Sequence, residues 1–129
     1  MNREIMPSTI APPAANYAHA VLSEHSHSLL HVSGVVAVRP DGTIPDDVAD
    51  QAAAIWFNIA SILAEADMAM GDIVSITTYV VVDFMAGLPE VMAARDQALS
   101  GHRVASTLVA VPALARPAWK MEIAVVAAR

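Results

Sequence analysis

The residues best suited to chemistry lie in the last quarter of the chain, between Arg103 and Glu122. Arg103 carries a guanidinium, which can bind a carboxylate in forked geometry. Glu122 carries a carboxyl group that could act as a general acid or base. Ser106 and Thr107 offer hydroxyls that could orient water or a substrate oxygen, although neither has a neighbouring base that would make it a nucleophile. These residue types favour acid–base or hydrolytic chemistry on a small carboxylate ligand.

Each of these side chains also has a purely structural interpretation. Arg103 could form a salt bridge at the surface or between subunits, and Glu122 could be an acid that is hydrogen-bonded across an interface. His31 could be a base in the site, but a hydrogen-bonded interface histidine is the simpler expectation. His25 and His27 form a His-x-His pair in a polar turn with no third ligand nearby, so we expect no metal site there.

Two strand-like runs carry these candidate residues. Residues 106–111 are apolar and β-branched, and residues 119–126 alternate between an apolar set and a set that includes Lys120, Glu122 and Ala124. Alternation with a period of two predicts a strand whose two faces meet different surroundings. We therefore expect helices to cover the apolar face and a ligand or a second subunit to cover the other.

The rest of the chain is predicted to supply that covering layer. Three prolines in residues 1–16 exclude a regular helix there and predict an extended arm. Periodicity predicts the order β-β-α-β-α-β-β: strands over 17–22 and 29–38, a helix from 46 or 47 to 66, a strand over 73–82, a helix over 88–99, and the two closing strands. The first two strands are expected to form a hairpin. This order favours an α+β fold of two layers, with both helices on one face of a sheet.

The apolar stripes of the two helices predict which residues enter the core. The first helix is expected to bury Val48, Ala52, Ile55, Ile59, Ile62 and Ala66. The second is expected to bury Leu88, Val91, Met92, Arg95 and Leu99, and to end at Ser100-Gly101. The aspartates that precede the first helix are expected to cap its free N–H groups.

Composition narrows the possible partners. The 129 residues are expected to form one domain over 1–129, and a hydrophobic share of 56% with only 16% charged residues favours an oligomer. A net charge of -6 with scattered lysines and arginines argues against a nucleic-acid partner. The absence of cysteine excludes thiolate chemistry, and no apolar run is long enough to span a membrane, so we expect a cytoplasmic protein.

Five segments of the chain carry a family resemblance: APPAANYAHAV, HVSGVVAV, DGTIPDDVADQAAAIWFNIASIL, GDIVSITTYVVV and VASTLVAVPALARPAWKMEIAVVAAR. Together they resemble the Rid (reactive intermediate deaminase, YjgF-type) family. The resemblance implies a chorismate-mutase-like fold and a homotrimer whose sheets face inward, with three clefts between neighbouring subunits. It also implies hydrolysis of imines or enamines to a keto compound and ammonia, without a metal or organic cofactor.

The resemblance assigns some site residues and shows departures at others. Tyr17 stands at the position of the family's pocket tyrosine, and Ser33-Gly34 at that of a cleft-lining Ser-Gly. Where the deaminating branch has Pro-Ala-Arg, this chain has Val104-Ala105-Ser106. The glutamate of that branch near the end of the last strand is matched by Ala124, and an asparagine of the second helix by Met92.

These departures lead us to expect weak or no activity on simple 2-imino acids. Arg103 and Glu122 are then the residues that could replace the missing arginine and glutamate. Three functions stay open: a deaminase-like hydrolase or tautomerase of a small imine or enamine, a non-catalytic trimer that binds a small molecule, and a purely structural trimer.

Overall fold

Six strands and two α-helices form the chain, and the computed structural model describes all residues from 1 to 129. The elements are β1 (Asn2–Ile5), β2 (Ala20–Ser23), β3 (Leu29–Val35), α1 (Val48–Glu65), β4 (Ile73–Val81), α2 (Leu88–Leu99), β5 (Ala105–Val111) and β6 (Met121–Ala128). Two short 3₁₀ helices, Met70–Asp72 and Val82–Gly87, flank β4. None of the helices combines the length and the apolar character that crossing a membrane would require.

Strand β6 is one of the two inner strands of a four-stranded sheet with the order β3-β6-β4-β5. It runs antiparallel to both β3 and β4, whereas β4 and β5 are parallel. A parallel pair needs a crossover connection, and α2 provides it here. Strands β1 and β2 form a separate two-stranded ribbon.

Both helices pack on one face of this sheet, as the sequence predicts. In β6 the apolar set Met121, Ile123, Val125 and Ala127 is at most 2% exposed. These side chains share one core cluster with residues of α1 and α2. Full burial of a large aliphatic side chain contributes roughly 1.5–3 kcal/mol, so this face holds the two layers together. The α+β class and the two-layer arrangement are confirmed.

The expected hairpin of the first two strands is wrong. Strand β2 pairs with β1, which forms in the N-terminal arm before its first proline, and β3 pairs with β6. The polar turn after β2 explains the change. Its residues His27 and Ser28 donate backbone hydrogen bonds to the carbonyl of Arg129, so the chain crosses to the end of β6 before β3 begins.

The burial of α1 also differs from the predicted stripe. Ala52, Ile55 and Ile59 are fully buried as expected, but Ile62 is 37% exposed and its neighbour Leu63 takes the core position. Ala66 follows the helix and is exposed. Asp47 is the N-cap residue, yet no side chain caps the free N–H groups. The stripe of α2 is as predicted for three of its five residues, which are buried: Val91, Arg95 and Leu99.

A buried glutamine joins the start of α1 to the start of β6. Gln51 is 1% exposed. Its Nε2 donates to the carbonyls of Pro45 (2.8 Å) and Ala118 (2.9 Å), and its Oε1 accepts from the N–H of Lys120 at 3.0 Å. Every hydrogen-bonding group of this amide is therefore satisfied, and the bonds fix where β6 enters the sheet.

We expect Gln51→Leu to destabilise the protein by about 2–4 kcal/mol, because the substitution removes the partner of the buried Pro45 carbonyl, of the Ala118 carbonyl and of the Lys120 N–H. Gln97→Leu, at an exposed position of α2, should change the stability by less than about 0.5 kcal/mol. Urea unfolding of both variants at one protein concentration checks this. Equal stabilities would show that the Gln51 bonds contribute nothing.

Candidate functional site

The face of the sheet that the helices leave open carries most of the polar candidates. On β6 this face holds Glu122, Ala124 and Val126, all half-buried. Across the sheet, Ala124 lies level with Thr77 of β4, which lies level with Thr107 of β5. Thr107 is exposed. The open face is therefore a mixed surface of hydroxyls, small side chains and one acid.

Glu122 lies against the backbone of Gly34. The pairing of β3 with β6 shifts register between Val32 and Val35, so Ser33 and Gly34 form a bulge there. A Cβ at Gly34 would lie 2.6 Å from Cδ of Glu122 and 2.9 Å from its Oε2. The acid therefore occupies the space that only a glycine leaves. The sequence-predicted residues Ser33, Gly34 and Glu122 are brought together at this point.

No cation of the same chain pairs with Glu122. Lys120, two residues earlier on the strand, points to Asp46, whose Oδ1 lies 3.6 Å from the Lys120 Nζ. Its ammonium also sits over the ring of Phe84, 4.7 Å from the centroid. Glu122 makes no salt bridge or hydrogen bond, so its carboxylate is available to a ligand or to a neighbouring subunit.

Arg103 lies at the opposite end of the sheet and has a partner in the N-terminal ribbon. Its Nη2 is 2.7 Å from Oε2 of Glu4, and its Nε donates to Oε1 at 3.4 Å. Both side chains are partly exposed, 42% for Arg103 and 34% for Glu4. The guanidinium thus binds one carboxylate in a two-point geometry, which is the contact that an acidic ligand would make.

The residues around Tyr17 run alongside Arg103. Ala18 donates its N–H to the carbonyl of Val104 at 2.8 Å and forms a parallel bridge with Ala105. The hydroxyl of Tyr17 accepts a 3.3 Å hydrogen bond from the N–H of Ala14. Tyr17 and Arg103 are therefore neighbours on one edge of the fold.

Ser106 does not lie with the other candidates. It pairs with Ile76, a core residue, so its side chain points to the helix layer. There its Oγ is 3.5 Å from Nη1 of Arg95, a buried arginine whose Nε and Nη2 both lie 3.0 Å from Oδ1 of Asp96. Position 106, where the deaminating branch has its arginine, therefore cannot line the open face. Arg103 is the candidate that can present a guanidinium to a ligand.

His19, His31 and His102 lie in separate parts of the fold. His31 lies opposite Val126 on the open face and lines a cavity of about 100 Å³. His102 Nε2 makes a 2.8 Å hydrogen bond with the carbonyl of Ile73. Nδ1 of His19 is buried without a hydrogen-bond partner. Nowhere do three histidine or carboxylate side chains converge as metal ligands.

One chain keeps the two groups of candidates apart. Ala105 is level with Ser75, whereas Glu122 is level with Tyr79 further along β4, and β5 and β6 lie on opposite sides of β4. At ~4.8 Å between strands and ~3.3 Å per residue, the backbones of Arg103 and Glu122 are roughly 20 Å apart. A small ligand of a single chain cannot contact both.

Two contacts of the candidate site residues were not predicted from the sequence. Glu4 lies in the predicted arm, and nothing in the local pattern indicates that it reaches Arg103. Gly34 was assigned through the family resemblance, but its contact with Glu122 depends on the bulge. Bulges leave only a weak sequence signal, an isolated glycine in a strand.

Comparisons with known proteins agree with this fold. The family model described as endoribonuclease L-PSP matches residues 8–129. YyfB of Yersinia pestis, a Rid family protein of unknown function, is 29% identical over 99% of this chain and 98% of its own, with a TM-score of 0.86. TdcF of E. coli, solved with bound serine, is 26% identical over 98% and 99% of the two chains, with a TM-score of 0.72. No curated protein matches the chain.

More distant structures share the fold. Rv2704 of Mycobacterium tuberculosis, from the YjgF/YER057c/UK114 family, is 23% identical with a TM-score of 0.69, and the alignment covers 100% of both chains. The family model spans residues 8–129, and the structural alignments with YyfB and TdcF cover 99% and 98% of this chain. The chain therefore belongs to the endoribonuclease L-PSP family, the group of the Rid and YjgF proteins.

Proposed function

We propose that this protein is a cofactor-independent hydrolase of a small imine or enamine that carries a carboxylate, acting in clefts between the subunits of a homotrimer. The observation that carries the proposal is the unpaired Glu122 carboxylate, which lies against the Ser33-Gly34 bulge on the open face. An acid without a cation partner on a face suited to a subunit interface is a candidate acid–base group.

Arg103 has the role of binding the substrate carboxylate. Its two-point contact with Glu4 is the surface salt bridge that was the alternative interpretation, and it supports this role only in that a ligand carboxylate could take the same two N–H groups. Tyr17, on the neighbouring segment, and Thr107, on the open face, are proposed to line the cleft. Ser33 and Gly34 offer backbone groups beside the reacting carbon.

The proposed reaction is the addition of water to a C=N bond. Water attacks the imine carbon while its proton passes through the Glu122 carboxylate to the nitrogen. Collapse of the resulting amino alcohol breaks the C–N bond and releases ammonia and the keto compound. An imine needs mainly orientation and a positioned water, so a single carboxylate and a substrate-binding arginine suffice.

The trimer is proposed from the surfaces that a single chain leaves uncovered. Strand β5 is a sheet edge without proline or charge, and Thr107 to Ala110 are all exposed. Such an edge invites pairing or needs a cover. On the open face Leu29 is 59% exposed and Val109 37%. We propose that the subunits covering these residues are arranged so that Arg103 of one copy lies near Glu122 of the next.

RNA is a poor candidate for the substrate despite the description of the family model. The net charge is -6 with seven lysines and arginines. Four of these cations are paired with acids: Arg3, Arg95, Arg103 and Lys120. Binding to a phosphate backbone requires clustered, available cations. TdcF, whose bound serine is a small amino acid, supports a small carboxylate ligand instead.

We expect a solution mass of three times 13.6 kDa and a loss of the trimer on Val126→Asp, because a carboxylate buried at the interface without a partner is costly. Light scattering at micromolar concentration measures this. Ser61→Asp, on the exposed side of α1, is the matched control and should remain trimeric. A monomeric wild type, or a trimer of Val126→Asp, would contradict the proposed interface.

We expect Glu122→Gln to lower the turnover of a hydrolysed 2-imino acid about 100-fold or more, since it removes the proton-transferring group. Gly34→Ala should also lower the turnover, because the new Cβ displaces the Glu122 side chain. Gly71→Ala is the matched control: its Cβ would enter open space, so the turnover should not change.

The assay generates 2-imino acids in situ with a broad amino acid oxidase and compares ammonia release with buffer. The panel includes 2-iminopropionate, for which we expect little acceleration, and larger apolar 2-imino acids. An accelerated rate that survives Glu122→Gln would exclude the role of Glu122. No acceleration with any member would favour the non-catalytic binding trimer.

A further inference from the structure

The carboxylate-binding residue of the proposed site is already engaged by an acid of the same chain. Glu4 holds both Nη2 and Nε of Arg103, at 2.7 and 3.4 Å. Glu4 lies in the β1–β2 ribbon, where it pairs with Val21, whereas Arg103 shortly precedes β5 of the four-stranded sheet. The two residues are 99 positions apart in the sequence, and their contact links the ribbon to the segment that leads into β5.

The contact geometry imitates a bound ligand. A carboxylate of a small acid would take the same two N–H groups, because the guanidinium offers that forked edge to any planar carboxylate. A ligand therefore has to displace Glu4 before it can bind there. Displacement leaves the Glu4 carboxylate close by, where it opposes the like charge of the ligand.

The pair is also weak enough to be displaced. Its side chains are 42% and 34% exposed, and exposed ion pairs contribute only about 0.2–1 kcal/mol because water and salt screen them. An intramolecular competitor of this strength lowers the apparent affinity of a carboxylate by up to about fivefold. Other acids of the ribbon lack this contact: Glu24 faces Arg3, at 3.8 Å.

We propose that Glu4 is a specificity-determining residue, which competes with ligand carboxylates for Arg103 and so selects against small acids that have little else to bind with. The proposal rests on the proposed function, because it takes Arg103 as the residue that binds the ligand carboxylate. It gives a structural reason for the weak activity that we expect on simple 2-imino acids. Larger ligands overcome the competition through contacts made elsewhere in the cleft.

The test is calorimetric titration of the protein with pyruvate, a small 2-oxo acid, and with its uncharged analogue pyruvamide, at low ionic strength. Glu4→Gln and Glu4→Ala should each bind pyruvate up to about fivefold more tightly than wild type. Pyruvamide should bind equally to all three proteins. Glu24→Gln is the matched control, because it removes one negative charge from the same ribbon without touching Arg103, and it should bind pyruvate as wild type does.

Arg103→Gln separates this inference from the proposed function. If Arg103→Gln weakens pyruvate binding but both Glu4 variants bind as wild type does, the competition by Glu4 is wrong and the role of Arg103 stands. If pyruvate binding is absent, or is unchanged in Arg103→Gln, the carboxylate-binding role itself fails and this inference fails with it. If Glu24→Gln gained as much affinity for pyruvate as the Glu4 variants, the gain would be an effect of net charge, and the specific role of Glu4 would be overturned.

Discussion

Burial of one side of β6 is the constraint on which the rest of the structure depends. Met121, Ile123 and Val125 fill the space beneath the helices, and a shift of β6 by one residue would exchange them for Glu122 and Ala124. Placing an unpaired carboxylate in that core would cost several kcal/mol. The register is therefore fixed by the apolar residues, and the acid is kept on the open face as a consequence.

Polar contacts refine what the core establishes. The buried amide of Gln51 sets where β6 begins, by holding Lys120 and the carbonyl of Ala118. At the other side of the strand, the bulge of β3 presents Gly34 and leaves room for the side chain of Glu122. The position of one functional group thus depends on a glutamine of the helix layer and on a glycine of the neighbouring strand.

Much of the fold follows from the sequence, because long periodic segments report burial directly. The bounds of α2 agree with the prediction, and the alternation in β6 identified its core face. The pairing of strands was harder to predict. Strand β2 pairs with β1 rather than β3, because a strand's partner is decided by contacts between distant residues, such as those of Ser28 with Arg129. The same limit applies to the site. Ser106 was predicted to line the cleft, but its pairing with Ile76 directs its side chain to the helix layer. No local sequence pattern indicates the contact between Glu4 and Arg103.

Arg103 and Glu122 are proposed to serve one cleft, although a single chain keeps them apart. The natural chain contains no cysteine, so the double variant Arg103→Cys/Glu122→Cys can be treated with a short bifunctional thiol reagent without background labelling. A site shared between subunits predicts covalent dimers and trimers on a denaturing gel, and only monomers from each single variant under the same conditions. A double variant that stays monomeric, or that cross-links only within its own chain, would contradict a site shared between subunits.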